Sequence, residues 1–162
     1  MFIYSVRAST LKICGIFVLL AVLLTALVVT GQNNRTVAVS GSGEINFGGI
    51  KTKENRLAFI RSFGIEVDEG SEEERAFRMP DDFDRVVLGY NILQQKQGLD
   101  LSKYKNKKVT RYTYKVTNYR DGGDVFANLF IYRGKVVACD LSSAEADGFV
   151  IPLTLVAREN LK

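Results

Sequence analysis

No histidine and no tryptophan occur in the 162 residues, and there are only two cysteines and two prolines. Lacking imidazole, the chain has no side chain whose unperturbed pKa lies near neutrality, which excludes His-dependent triads, imidazole general bases and most zinc sites. Low proline and a quarter of the residues charged exclude a proline-rich or strongly polyelectrolyte disordered chain. Charge is also missing locally: none occurs between Lys12 and Arg35, and Ile13 to Thr30 reads ICGIFVLLAVLLTALVVT.

That run is the strongest single signal present. A helix rises about 1.5 Å per residue, so roughly 20 apolar residues cross the hydrocarbon layer with every backbone group satisfied internally. The sequence therefore predicts a cytoplasmic N-terminus at 1–12 and a single-pass transmembrane helix over 13–31. Arg7 and Lys12, just before the run, place the C-terminal portion outside the cell by the positive-inside rule. The alternative is a cleaved signal peptide ending near Val29-Thr30-Gly31, although the run is long for one. Cys14 precedes the apolar run and is not placed as a lipid-modified terminus, and Asn34-Arg35-Thr36 spells a glycosylation sequon that matters only in a glycosylating host.

Cys139 is the one cysteine expected outside, so that part of the chain has no disulfide and must stand on its core. Valines around it suggest a buried, inert thiol.

Gly31 to Ile50, rich in Gly, Ser and Asn, reads as a flexible linker over 32–50. Alternation of Val37, Val39, Ile45 and Phe47 leaves room for an added edge strand there. An extracytoplasmic domain is expected over 51–162. Thr52 as N-cap, Glu54 in the first turn, Leu57, Ile60 and Phe63 at helical spacing and Gly64 as a left-handed stop mark a first helix. Short strands at Ile65–Val67 and Ala76–Met79 flank the acidic turn Asp68–Glu74. A second helix is expected from Pro80 as its first residue, with Phe83, Val86, Val87, Tyr90 and Leu93 as its buried stripe and Gly98 as its end.

Tyr112, Tyr114 and Val116 alternate with polar residues as a half-buried strand does. Val125–Tyr132 and Val136–Leu141, apolar on both sides, predict a covered hairpin turning at Arg133-Gly134. Phe149–Val156 is a candidate last strand, confined by Pro152 to an edge or a bulge. The order predicts an α+β fold: two helices packed on an antiparallel sheet of about four to five strands.

These residues resemble a known family. Met79-Pro80-Asp81-Asp82-Phe83, Tyr90-Asn91 with Gln94 and Gln95, Gln97-Gly98-Leu99-Asp100-Leu101-Ser102-Lys103-Tyr104, Tyr112-Thr113-Tyr114-Lys115-Val116 with Asn118-Tyr119, and the hairpin with Asp140 are similar in order to the domain of unknown function 4830. The resemblance runs from about Lys51 to Gly148. It implies a Gram-positive, clostridial-type source and one N-terminal membrane segment, and it brings no activity, cofactor or catalytic residue. This chain departs from the family pattern in carrying Ala138-Cys139 where a glycine pair often precedes the aspartate.

No catalytic set is nominated. Ser102 and Lys105 fall at S-x-x-K spacing without the companion elements of penicillin-recognising enzymes. Asp81, Asp82 and Asp84 suit a helix start better than a hard-cation site, because consecutive helix positions diverge. No metal site and no cofactor is expected. Tyr90, Asn91 and Gln94 either hydrogen-bond to the sheet or line a ligand pocket.

Charge is unevenly spread: Glu66–Asp84 holds nine acids and two bases, Lys96–Arg120 eight bases and one acid. The halves either face one another or the basic one meets an anionic partner, for which Lys103, Lys105, Lys107 and Lys108 are the candidate contacts. An extracytoplasmic position argues against nucleic acid and for an anionic wall polymer or an envelope protein. The reading that results is a membrane-anchored, non-catalytic binding module. A small cell-surface enzyme acting on wall or peptide substrates and a regulatory partner of another membrane protein are the alternatives.

Overall fold

A computed structural model describes residues 45–120, 123–145 and 147–162. The apolar run Ile13–Thr30, Cys14, the Val29–Gly31 site, the Asn34 sequon and the Val37 and Val39 alternation lie outside the described residues. Among the described residues, no helix is long and apolar enough to cross a membrane.

Two α-helices and five strands make up the described regular structure, with four short 3-10 turns between and after them. Helix α1 spans Lys53–Arg61; Thr52 caps it by accepting from the Asn55 N–H, and the Asn55 side chain reciprocates on the Thr52 backbone. Gly64 has φ +80°, the left-handed stop that its lack of Cβ permits. Helix α2 spans Arg85–Gln95. Strands β1 (Glu73–Arg78), β2 (Lys108–Lys115), β3 (Val125–Tyr132), β4 (Lys135–Ser143) and β5 (Val150–Pro152) form one antiparallel sheet in sequence order. The α+β expectation therefore holds.

β3 is central, and its alternation divides two apolar clusters. Val125, Ala127, Leu129 and Ile131 join Leu57, Phe59 and Ile60 of α1; Phe130 and Tyr132 join Val87 and Tyr90 of α2, with Phe83, Met79 and Leu101. Each sheet face thus carries one helix, which is why β3 is apolar on both sides. The β3–β4 turn has positive φ at both Arg133 (49°) and Gly134 (75°), the pattern whose twist matches a two-residue hairpin. Pro152 sits in the edge strand β5, where a missing N–H costs least.

Three local expectations change. Residues 45–50, assigned to the linker, lie against the core: Ile50 is buried, Ile45 and Phe47 pack on the α1-side cluster, and the Phe47 carbonyl accepts from the Val136 N–H. α2 starts four residues after the expected Pro80 start would place its second position, because Asp84, not Pro80, initiates it: the Asp84 carboxylate accepts the Val87 N–H at 2.8 Å, leaving Phe83 in the loop to enter the core. The acidic turn is shorter than expected, since β1 already begins at Glu73.

The inward face of α2 matches the expected stripe at Val87 and Tyr90, which pack on the core with Phe83, and departs from it at Val86. Val86, Leu88 and Ile92 are exposed, whereas Asn91 and Gln94 are buried. Hydrogen bonds explain why the two amides turn inward. The Asn91 Oδ1 accepts from the Leu101 N–H at 2.7 Å, and Gln94 Oε1 accepts from the Cys139 N–H at 2.9 Å. Gln97 Nε2 donates to the Cys139 carbonyl at 2.7 Å and to Gln94 Oε1 at 2.6 Å, while its Oε1 accepts from the Thr154 hydroxyl at 3.1 Å. Where β5 stops short of Cys139, two glutamine side chains take over as the neighbour of β4.

Candidate functional site

The four lysines nominated from sequence do not converge on one pocket. Lys103 stands on the 3-10 turn Leu101–Tyr104, its side chain 73% exposed, with its Nζ 4.0 Å from an Asp100 oxygen. Lys105 Nζ lies 5.2 Å from the centre of the Phe83 ring. Lys107 is exposed in the approach to β2, and its carbonyl accepts from the Met79 N–H. Lys108 opens β2 on the face it shares with Thr110 and Tyr112, opposite Arg78 on β1.

That face holds a cleft of about 310 Å³ in which Lys108 meets Lys51, Arg56 and Arg133 around Tyr112. No acidic side chain lines it. The chain brings these four together from four places: Lys51 just before α1, Arg56 on α1, Arg133 at the β3–β4 turn and Lys108 on β2. Arg56 is the fixed member. Only 7% exposed, it stacks over the Tyr112 ring with its guanidinium carbon 3.7 Å from the centroid, its Nε donates to the Tyr114 hydroxyl at 2.9 Å, and its Nη2 lies 2.9 Å from Glu72 Oε2. Tyr114 in turn donates to the same Glu72 oxygen. Burial acts to raise the Glu72 pKa, but the hydrogen bonds from Tyr114 and Arg56 outweigh it and hold the carboxyl below its ordinary value. Burial, together with the bond to Glu72, pushes the Tyr114 phenol up. Lys51, Lys108 and Arg133 have no ion-pair partner among the described residues, and the Arg133 guanidinium carbon lies 5.3 Å from the centre of the Tyr132 ring.

On the α2 face Tyr90 and Gln94 bind the sheet, whereas Asn91 binds the 3-10 turn at Asp100 and Leu101. Tyr90 donates to Asp140 Oδ2 at 2.5 Å; Asn128 Nδ2 donates to Asp140 Oδ1 at 2.9 Å and to Ser142 Oγ at 3.0 Å; the Thr113 hydroxyl donates to Asn128 Oδ1 at 2.9 Å. Asp140 is 3% exposed, and that burial raises its pKa against the opposing hydrogen bonds from Tyr90 and Asn128. Burial likewise drives the Tyr90 phenol well up, and the Asp140 charge adds to the shift.

The remaining sequence candidates part company. The Ser102 hydroxyl donates to Asp100 Oδ1 at 2.7 Å while Lys105 lies over Phe83, so the S-x-x-K spacing makes no serine–lysine pair. Asp84 serves the α2 N-terminus, and Asp81 and Asp82 are exposed beside it. No group of three or more His, Cys, Asp or Glu side chains is placed to hold a metal among the described residues. Cys139 is fully buried, and desolvation raises its thiol well above the ordinary value, which suits an inert core group rather than a nucleophile.

Sequence spacing nominated Lys108 and passed over Lys51, Arg56 and Arg133. A lysine run is visible to a linear count; a cleft assembled across α1, β2 and a turn is not. The Arg133-Gly134 turn signal and the Thr52 cap are the two features that, paired through the sheet, mark where the cleft forms.

No curated protein and no solved structure matches the chain. A family model described as a domain of unknown function matches residues 59–141, more than half of the chain and the span from the end of α1 through β4 up to Leu141. The chain belongs to that family, DUF4830.

Proposed function

We propose that the chain is a membrane-anchored, extracytoplasmic and non-catalytic binding module that takes an anionic polymer in the cleft formed by Lys51, Arg56, Lys108 and Arg133. The observation that carries the proposal is this cleft itself: four cationic side chains around an aromatic floor, three of them, Lys51, Lys108 and Arg133, without an ion pair among the described residues. Clustered like charge focuses field on the opening and draws in a flexible anion, an effect that salt screens over a Debye length of about 8 Å at physiological ionic strength. Lys103, Lys105 and Lys107, exposed outside the cleft, add to the positive field that draws the polymer in.

The compartment rests on the charge-free run Ile13–Thr30 behind Arg7 and Lys12. It makes a cell-wall polymer of glycerol-phosphate type the natural ligand class. Protease added to intact protoplasts is expected to digest the C-terminal portion; protection until lysis would remove the wall as the source of ligand.

The binding itself is tested with the full chain in zwitterionic micelles titrated with a glycerol-phosphate polymer. Affinity is expected to fall steadily with salt and to drop when Lys51→Glu and Lys108→Glu are combined, while Lys96→Glu on the α2 side changes it little. Salt-insensitive binding, or full affinity in the double variant, would refute the cleft as the site.

A further inference from the structure

The sheet face that carries α2 holds a second cleft, of about 270 Å³, lined by Arg75, Phe77, Arg111 and Phe130. Strand register builds it. Arg75 of β1 stands directly opposite Arg111 of β2, Arg111 stands directly opposite Phe130 of β3, and Phe77 follows Arg75 two residues on, on the same face. Two guanidinium groups are therefore cross-strand neighbours. Like charges in that relation oppose sheet formation.

Neither arginine has an ion pair or a side-chain hydrogen bond among the described residues. Exposed Glu73 stands two residues before Arg75 on the same strand face without an ion pair to either arginine among the described residues, and Asp140, on which Arg111 acts through charge without contact, is buried and already takes hydrogen bonds from Tyr90 and Asn128. The buried carboxylate that feels Arg111 is thus already committed. Beside the two arginines the wall is aromatic: Phe77 and Phe130 meet edge to face at 5.9 Å and 89°, and Tyr90 continues the wall 5.7 Å from Phe130. A guanidinium pair matches the fork of a carboxylate, and the adjacent rings offer a surface on which a flat apolar group stacks. At about 270 Å³ the cleft is at the small end of ligand sites, sized for one ring and its acid group.

We propose that this cleft binds a small aromatic carboxylate, with the carboxylate bridging Arg75 and Arg111 and the ring lying against Phe77 and Phe130. The site is distinct from the Lys108 cleft, which opens on the α1 face of the same sheet.

The test is an NMR titration of the full chain in zwitterionic micelles with benzoate, and separately with acetate and with benzyl alcohol. Benzoate is expected to shift the Arg75 and Arg111 Nε–H signals and the Phe77 and Phe130 ring signals along one saturating curve. Acetate, which lacks the ring, and benzyl alcohol, which lacks the charge, are each expected to bind about tenfold more weakly. Arg75→Gln should weaken benzoate about tenfold, as loss of one charge-assisted hydrogen bond does. Arg75→Lys, which keeps the charge and the fold but loses the fork, should also bind more weakly than the parent. Lys51→Glu with Lys108→Glu should leave benzoate binding unchanged, which separates this site from the polymer site. Equal affinity for benzyl alcohol and benzoate, parental affinity in both Arg75 variants, or shifts confined to the Lys108 face would each overturn the proposal.

Discussion

Tyr114→Phe removes one oxygen and leaves the shape of the ring, so its cost isolates the Arg56–Tyr114–Glu72 network. Tyr114 is wholly buried and its hydroxyl both accepts from Arg56 Nε and donates to Glu72. With phenylalanine, the Arg56 Nε–H is left without an acceptor in a place from which water is largely excluded, worth about 1–3 kcal/mol for a buried orphan donor. Glu72, whose side chain is 21% exposed, recovers part of its lost bond from solvent, so its share is set at roughly 0.5–1 kcal/mol. The total of about 1.5–4 kcal/mol is a large fraction of the roughly 5–15 that holds a typical domain, and corresponds to a Tm drop on the order of 10 °C. Because the chain has no tryptophan, urea unfolding followed by far-ultraviolet circular dichroism is the assay. The pH dependence sharpens it. Glu72 has a folded-state pKa below its ordinary 4.5, so its stabilisation is present above that value and lost as pH falls through the depressed one. The gap between parent and variant should therefore narrow in acid by the Glu72 share and keep the Arg56 share. A midpoint change under about 0.5 kcal/mol at neutral pH would refute the assignment of this network as a structural element.

Three further outcomes are expected. Gln97→Leu strips the Cys139 carbonyl and Thr154 of their partner and should cost about 2–3 kcal/mol in urea unfolding, with faster amide exchange at Thr154, whose N–H donates to Gln97 Oε1. Phe83→Ala empties a buried position beside Met79 and Leu101 and should lower stability by about 3–5 kcal/mol; an unchanged midpoint would mean that the loop before α2 does not anchor it. In a Cys14→Ser chain, Cys139 should resist a thiol reagent at neutral pH until urea unfolds the domain, and prompt labelling of the folded chain would contradict its burial and raised pKa.

Much of this fold was legible because local chemistry and tertiary packing agree. Thr52, Leu57, Ile60 and Gly64 mark α1 at both ends, and the doubly apolar hairpin around Arg133-Gly134 announces a covered central strand. α2 followed the same logic at Val87 and Tyr90 and departed from it elsewhere. Its apolar residues Val86, Leu88 and Ile92 point outward, while Asn91 and Gln94 turn inward, because unpaired backbone groups at Leu101 and Cys139 reward an amide more than the core rewards a valine. Pro80 looked like a helix start because its fixed φ suits one, yet the Asp84 carboxylate supplies the cap four residues later. Among the candidate site residues, Lys108 was visible as part of a basic run. Its companions were not, because Lys51, Arg56 and Arg133 become neighbours only when β2 pairs with β3 beneath α1.

The outer margin of β4 carries a consequence of its own. Phe47 occupies it at Val136, Gln94 and Gln97 at Cys139, Ile151 at Leu141 and Phe149 at Ser143, so a strand from another molecule finds no consecutive open amides there. The opposite margin, β1, reads EERAFR, and four charges in six residues discourage stacking by repulsion instead. Crowded side by side on a surface, such molecules resist zipping into fibrils at both margins, by occupancy at one and by charge at the other.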